Sequence, residues 1–309
     1  MASARSMNAG IPTSENPNLR TSYIGKGRGR GSRNKAAENS VGTVGGTNAS
    51  GKEETGRNSP AEVGKVDAAS KAEDKVLDLL KEMCRKRTEA KTVRVIRLSP
   101  KEEDAVIETV LESVSTGVEV RSLASSLYDW CLTDPATTSC VANLCGILST
   151  LVKDEVSFRR VLIQFLQKGF VGREELRQDK DQRWIAFVCL LCDLYDAMKT
   201  ASNEYLHILE EPIYTCLAEV LTNEESSELH IEYATLKLKK IGKTLQVYRP
   251  SQMDLLMDGL RGRLLGPNTT PLGRVQLLET IELCASDWQF DQESVDAYTA
   301  LRSVTKEEA

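Results

Sequence analysis

The stretch Arg183–Lys199, with the sequence RWIAFVCLLCDLYDAMK, decides the fold class. Its apolar side chains lie on more than one side of a helical wheel, and they include Trp184, Phe187 and Tyr195. A helix that is hydrophobic nearly all round is typical of a position between other helices at the centre of a core. We therefore predict that this helix is central, that these three aromatic residues belong to the core, and that other helices surround it.

Helix signals recur on both sides of this stretch. Ser99–Glu102 combines an N-cap serine, a proline at the first helical position and a glutamate three residues after the cap. The apolar residues Ile107, Val110, Leu111 and Val114 then follow at helical spacing. Thr270-Pro271 gives a similar start signal near the other end of the chain. Some ten helices are predicted in this way.

The predicted helices lie in a domain of residues 71–302, the last of them at Pro271–Leu283. They are joined by short connections, so that helix pairs recur about every 40 residues. This period is typical of HEAT-type solenoids, in which each pair buries its apolar face against the next pair. We predict an all-α fold, a HEAT-like helical-repeat solenoid of about five antiparallel helix pairs. A compact helical bundle is the alternative, because it would share the same local pattern.

The two ends of the chain differ from this body in composition. Residues 1–70 hold eleven of the twenty glycines, a single aromatic residue, and ten Lys/Arg against six Asp/Glu. Such a segment cannot bury enough apolar surface to offset the entropy lost on ordering. We predict that residues 1–70 form a disordered, mildly basic N-terminal tail, and that residues 303–309 form a disordered C-terminus.

The cysteine pattern and the apolar runs indicate where the protein works. No run approaches the roughly 20 apolar residues that span a bilayer, and no apolar signal-peptide core begins the chain. The eight cysteines are scattered through apolar helical runs, and Cys189 and Cys192 share a CxxC spacing in the middle of one such run. We predict reduced thiols packed as small hydrophobes, without metal or cofactor. The expected compartment is the cytoplasm, with the nucleus as an additional location.

Residues for catalysis are scarce. The chain has two histidines, His207 and His230, and both lie in polar helical stretches without an evident nucleophile beside them in sequence. We predict that both are exposed on helices. The sequence therefore predicts a protein that is not an enzyme.

Two basic segments are candidates for contact with RNA. The first is GKGRGRG at Gly25–Gly31, which resembles a short Arg-Gly segment and contributes Lys26, Arg28 and Arg30. The second is LKLKKIGK at Leu236–Lys243, where helical spacing places the lysines in two adjacent rows. Its lysines are Lys237, Lys239, Lys240 and Lys243. A flexible tail and a solvated helix face are the alternative interpretations.

Four segments resemble the middle domain of eukaryotic translation initiation factor 4G. They are FRRVLIQFLQKGFVGREELRQ (Phe158–Gln178), RWIAFVCLLCDLYDAMK (Arg183–Lys199), PIYTCLAEVL (Pro212–Leu221) and VQLLETIELCASDW (Val275–Trp288). The resemblance covers about residues 73–290. It points to the single-domain branch of the family, which includes the cap-binding-complex-dependent translation initiation factor and the stem-loop-binding-protein-interacting protein.

The resemblance implies a right-handed HEAT-like stack that bridges mRNA-end complexes to the small ribosomal subunit. In this branch the partners are initiation factor 3, DEAD-box helicases and the protein that binds the histone mRNA stem-loop. The cap-dependent relative also contacts the large nuclear cap-binding subunit through an N-terminal extension. Residues 1–70 contain no segment matching that extension, and no poly(A)-binding-protein peptide motif, so the expectation does not extend to direct binding of the cap complex.

We therefore predict a non-enzymatic adaptor that links mRNA-bound proteins to the translation initiation machinery. Its partners would be translation initiation factors or mRNA-end-binding proteins, with a DEAD-box helicase among the candidates and RNA contacted indirectly. The preferred docking surface is a charged cluster where one predicted helix ends and the next begins. Its members are Arg173, Glu174, Glu175, Arg177 and Arg183. A direct RNA-binding protein is the alternative function, and self-association is left open.

Overall fold

The computed structural model describes residues 74–82, 99–179 and 181–307, and within these ranges the chain forms twelve α-helices. They are α1 (74–82), α2 (Pro100–Ser113), α3 (Gly117–Cys131), α4 (Thr138–Leu148), α5 (Phe158–Val171), α6 (Arg173–Asp179), α7 (Asp181–Ala197), α8 (Glu210–Leu221), α9 (Glu228–Tyr248), α10 (Pro250–Leu265), α11 (Pro271–Ala285) and α12 (Gln292–Glu307). A two-residue hairpin, β1 (Val152–Lys153) and β2 (Val156–Ser157), precedes α5. The all-α prediction is confirmed, and the predicted tail 1–70 lies outside the described residues.

The helix starts that the sequence indicated are present. The backbone N–H of Ser99 donates to Glu102 Oε2 at 2.7 Å, which is the return bond of a capping box at the start of α2. Thr270 Oγ1 accepts from the N–H of Gly273 at 3.0 Å and caps α11. These bonds satisfy N–H groups that a helix leaves unpaired at its first turn.

The helices pack in two layers. In one layer α4 packs on α7, α7 on α9 and α9 on α11. In the other layer α3 packs on α5, and α8 packs on α10. Since each helix mainly contacts its neighbours along the stack, the arrangement is the predicted HEAT-like helical repeat. As predicted, α7 is central, and the side chains of Trp184, Phe187 and Tyr195 are buried in the core.

A polar cluster is enclosed between α4, α7 and α9. Asp193 is 1% exposed, and its Oδ2 lies 2.5 Å from the Nζ of Lys237, which is 2% exposed. The same oxygen accepts from the hydroxyls of Thr138 at 2.7 Å and Ser139 at 2.9 Å. Burial alone would lower the pKa of Lys237, but the attraction of Asp193 and the hydrogen bond to it raise that pKa above its ordinary value. Lys237 therefore keeps its charge inside the protein.

A close approach at Gly242 joins α9 to the segment after α11. A Cβ added to Gly242 would lie 2.1 Å from the ring of Trp288. Trp288 has a positive φ of 61° and its indole Nε1 donates to Gln246 Oε1 at 2.5 Å. The ring therefore occupies the space that any larger side chain at position 242 would need.

We expect Gly242→Ala to destabilise the protein by a net of about 1 kcal/mol. Overpacking costs about 1–3 kcal/mol, and the better helix propensity of alanine offsets about 1 kcal/mol of it. Thermal unfolding should show a Tm lowered by a few degrees. Gly262→Ala on α10 is the matched control, because nothing lies within 4 Å of a Cβ added there. A Gly242→Ala protein that gains stability as the control does would show that Trp288 does not pack on α9.

The predicted C-terminal end of the helical-repeat domain, at residue 302, is wrong. Helix α12 runs to Glu307, so residues 303–307 are helical and the repeat does not end at 302. Tyr298 is 6% exposed and its hydroxyl donates to Glu282 of α11. One buried aromatic side chain thus attaches a helix whose other residues are mostly polar, and such a helix gives only a weak apolar stripe in the sequence.

Candidate protein-docking surface around α6

The predicted charged cluster lies on and beside α6, a helix of two turns that the sequence did not reveal. The chain leaves α5 at Val171, passes Gly172 and forms α6 before α7 begins. A groove lies on each side of α6. We name them the Trp184 groove, between α6, α7 and the α8–α9 connection, and the Tyr128 groove, between α3, α5 and α6.

Arg173 fixes α6 to its neighbours. Its Nε donates to Glu219 Oε1 of α8 at 2.9 Å, and its Nη1 donates to the carbonyl of Phe170 at 3.2 Å. The guanidinium also lies 4.8 Å from the centre of the Phe170 ring, a cation–π distance. The hydrogen bond to Glu219 raises the pKa of Arg173. This residue therefore positions the surface, and a charge reversal here would separate α6 from α8.

The Trp184 groove has a volume of about 270 Å³. Glu174 and Arg177 stand on its α6 side, and Arg177 Nη1 lies 3.3 Å from Glu174 Oε1. Opposite them, Glu219 Oε2 is buried and has no hydrogen-bond partner among the described residues. A buried carboxylate oxygen left without a partner costs free energy. The residues lining it are Glu174, Arg177, Gln178, Trp184, Glu219, Asn223, Glu225, Ser226 and His230.

The Tyr128 groove is larger, at about 520 Å³. Tyr128 and Phe165 line it, and their rings stack with centroids 5.6 Å apart. A Cβ at Gly169 would lie 2.3 Å from the Tyr128 hydroxyl, so only glycine lets α5 approach this closely. Burial is the main cause that raises the pKa of Tyr128 to about 12. Glu175 and Arg183 also line the groove and add charged groups to it.

The structure thus divides the five predicted residues among three places. Glu174 and Arg177 line the Trp184 groove, Glu175 and Arg183 line the Tyr128 groove, and Arg173 joins α6 to α8. Two further contributors, Glu219 and Tyr128, were not among the predicted site residues. They come from α8 and α3, and only the fold brings them to α6.

The predicted basic rows on α9 are not an exposed basic surface. Lys237 is buried against Asp193, so the prediction of RNA contact is wrong for this residue, and for the other three lysines it stays a prediction. Lys239 is 20% exposed and its Nζ lies 2.6 Å from Glu279 of α11. The other two lysines also have acidic partners, since Lys240 lies 2.8 Å from Asp196 and Lys243 lies 2.8 Å from Asp287. Carboxylates from α7, α11 and the residues after α11 therefore form ion pairs with all four lysines.

Other candidates from the sequence fall inside the core or outside the described residues. Cys189 and Cys192 are buried, and burial raises the pKa of both thiols, that of Cys189 to about 12. In the described ranges no group of His, Cys, Asp and Glu side chains could hold a metal ion. The prediction that both histidines are exposed is wrong for His230, which is 7% exposed at the base of the Trp184 groove. Lys26, Arg28 and Arg30 lie outside the described residues.

The helical region is similar in sequence to known proteins. Residues 73–287 match the model of the MIF4G domain. The CBP80/20-dependent translation initiation factor of Xenopus tropicalis is 32% identical over 166 residues, which are 54% of this chain and 28% of that protein. MIF4G domain-containing protein B of Danio rerio is 29% identical over 209 residues, 64% of this chain and 90% of that protein. The MIF4G domain-containing protein of Mus musculus is 28% identical over 193 residues, 61% of this chain and 86% of that protein.

The chain therefore covers under a third of the Xenopus tropicalis protein and most of the other two. Each helix that the structure describes is too short or too polar to cross a bilayer. The match to the domain begins before α1 and ends after α11, and it includes α6 and the residues that line both grooves. Because it also includes more than half of the chain, this protein belongs to the MIF4G domain family.

Proposed function

We propose that this protein is a non-enzymatic adaptor that links mRNA-bound proteins to the translation initiation machinery. One relative, 32% identical over 166 residues, is named as a translation initiation factor, and residues 73–287 of this chain match the MIF4G domain. The observation that carries the proposal is the pair of grooves on the two sides of α6. Both combine aromatic and charged side chains, which are the residue types that protein interfaces use at their centre and rim.

The geometry favours a protein partner at these grooves. In the Trp184 groove, the ion pair of Glu174 and Arg177 is exposed, and a partner can offer opposite charges to it. In the Tyr128 groove, the Tyr128–Phe165 stack offers an aromatic wall on which an apolar side chain can pack. Translation initiation factors and mRNA-end-binding proteins are the partner classes we propose, with the cytoplasm as the compartment.

Direct RNA binding is the alternative function, and the body of the protein gives it little support. Binding to RNA phosphates needs Lys or Arg side chains that can replace the counterions of the RNA. Each of the four α9 lysines has a carboxylate partner, at distances from 2.5 to 2.8 Å. The alternative therefore rests on the Arg-Gly segment of the tail.

We also propose that the protein does not act as an enzyme. The buried thiols support this, because the raised pKa of Cys189 and Cys192 keeps them protonated at neutral pH. The carboxylates around α6 form ion pairs at the rim of open grooves, as Glu174 does with Arg177. Such an arrangement suits recognition of a partner better than proton transfer in a water-free cleft.

Tethering the protein to a reporter mRNA tests the proposal, and we expect the parent protein to stimulate translation of that reporter. Glu174→Arg combined with Arg177→Glu should remove most of the stimulation. This swap keeps the net charge and an i,i+3 ion pair, yet it inverts the charges offered to a partner, and like-charge contacts at an interface cost several kcal/mol. Stability should change by less than about 1 kcal/mol.

Asp258 and Arg261 on α10 supply the matched control, because they are an exposed i,i+3 pair with atoms 2.6 Å apart. Swapping their charges should leave stimulation unchanged. A tethered parent that does not stimulate translation would refute the adaptor function. Equal losses in the α6 and α10 swaps would refute the choice of surface.

A further inference from the structure

Helix α2 has an outward face whose charges its own fold does not use. The helix carries five carboxylates and a single lysine. Two of the carboxylates, Glu102 and Glu103, belong to the first turn, where negative charge is favourable and Glu102 closes the capping box. The remaining three, Asp104, Glu108 and Glu112, need another explanation.

These three carboxylates form a row at i, i+4 and i+8. Like charges at i,i+4 on a helix repel each other. Glu112 also stands in the last turn, which has no basic residue and where a negative charge opposes the helix dipole. Within the described ranges, the side chains of Asp104, Glu108 and Glu112 take part in no hydrogen bond or ion pair. The row thus destabilises the helix that bears it.

An exposed apolar stripe runs beside this row. Leu111 is 58% exposed, and Ile107 stands one turn before it with its side chain only partly covered. Together with the three carboxylates they line a shallow groove of about 330 Å³. The inner face of the same helix is already packed, since Val106 and Val110 are fully buried in the core. The outer face is therefore an amphipathic surface without a partner inside the described structure.

We propose that this face of α2 binds a basic amphipathic helix of a partner protein. Apolar residues of that helix would cover Ile107 and Leu111, and its lysines or arginines would pair with the carboxylate row. Binding would remove the repulsion along α2, which explains why a destabilising row is present at a position that is not needed for folding. The surface is separate from the grooves around α6, and the inference does not depend on the function proposed for them.

The test measures binding of two synthetic peptides to the full-length protein by fluorescence anisotropy. One peptide, of about 18 residues, places leucines along one helical face and lysines beside them; the other has the same composition in scrambled order. We expect the amphipathic peptide to bind more tightly than the scrambled one, with an affinity that falls as salt is added. Glu108→Gln with Glu112→Gln should weaken binding about fivefold, the effect of two exposed ion pairs.

Leu111→Ser should also weaken binding, while the thermal midpoint of the Glu108→Gln, Glu112→Gln protein should not fall, because its carboxylates repel. Glu293→Gln with Asp296→Asn on α12 is the control, since it removes two exposed charges elsewhere and should leave the affinity unchanged. Equal binding of the two peptides would overturn the proposal, since charge alone would then account for it. No binding at low salt, or unchanged affinity in the α2 variants, would overturn it as well.

Discussion

Asp193→Leu is expected to destabilise the protein by about 3–5 kcal/mol, the range for removing one partner of a buried ion pair. Lys237 would be left in the core with the hydroxyls of Thr138 and Ser139, at 3.3 and 3.0 Å, and it would either stay charged without Asp193 or lose its proton at a cost. A charged group without a counter-ion is far more costly to bury than an apolar group. Denaturant unfolding followed by circular dichroism would measure the loss as a lower midpoint at an unchanged slope.

The double variant Asp193→Leu, Lys237→Met separates the charge effect from the loss of packing. Replacing a buried ion pair by apolar residues of similar volume is often close to neutral. The double variant should therefore be more stable than Asp193→Leu alone, although the hydroxyls of Thr138 and Ser139 lose an acceptor. A double variant that is less stable than the single one would show that the charge on Lys237 is not what makes Asp193 necessary.

Trp184→Ala is expected to cost a similar amount, about 3–5 kcal/mol, because it empties a large aromatic site. Trp184 is 5% exposed, and its ring stacks on Phe187 with centroids 6.2 Å apart. The loss combines the buried apolar area with the stacking contact, which itself contributes about 0.5–1.5 kcal/mol. Thermal unfolding of the purified variant would measure it.

Trp184→Phe provides the comparison for this prediction, since it keeps an aromatic ring and removes only part of the volume. It should lose less than half as much stability as the alanine variant. If Trp184→Ala unfolds at the temperature of the parent protein, the ring does not belong to the core. Trp184 would then act only as a wall of its groove.

The fold could be predicted from the sequence because its main signals are local. The apolar residues on nearly all sides of α7 and the start signal at Ser99 can be recognised without reference to distant residues, and both are confirmed. Two helices escaped prediction for physical reasons. Helix α6 has only two turns and a single apolar residue, Leu176, while α12 is attached through Tyr298 and is otherwise mostly polar. Neither helix has an apolar stripe strong enough to be recognised.

The candidate site was predicted only in part, because charge in a sequence does not reveal which charges meet. The residues on α6 were identified, since a dense charged cluster between two apolar runs is visible along the chain. The carboxylate partners of the α9 lysines were not predicted, because they lie far away in sequence. Asp193 is 44 residues from Lys237, and Asp287 is 44 residues from Lys243. Glu219 and Tyr128 were missed for the same reason.

The buried pair of Asp193 and Lys237 also has a mechanical consequence for the stack. Apolar interfaces between helices tolerate small displacements, because one methyl group can replace another. Sliding α9 by one turn along α7 would move the Lys237 ammonium about 5.4 Å from its carboxylate and strand two charges in the interior. Under a pulling force the stack should therefore resist shear at its centre. Deformation should begin at its ends, where α2 and α12 have fewer neighbours.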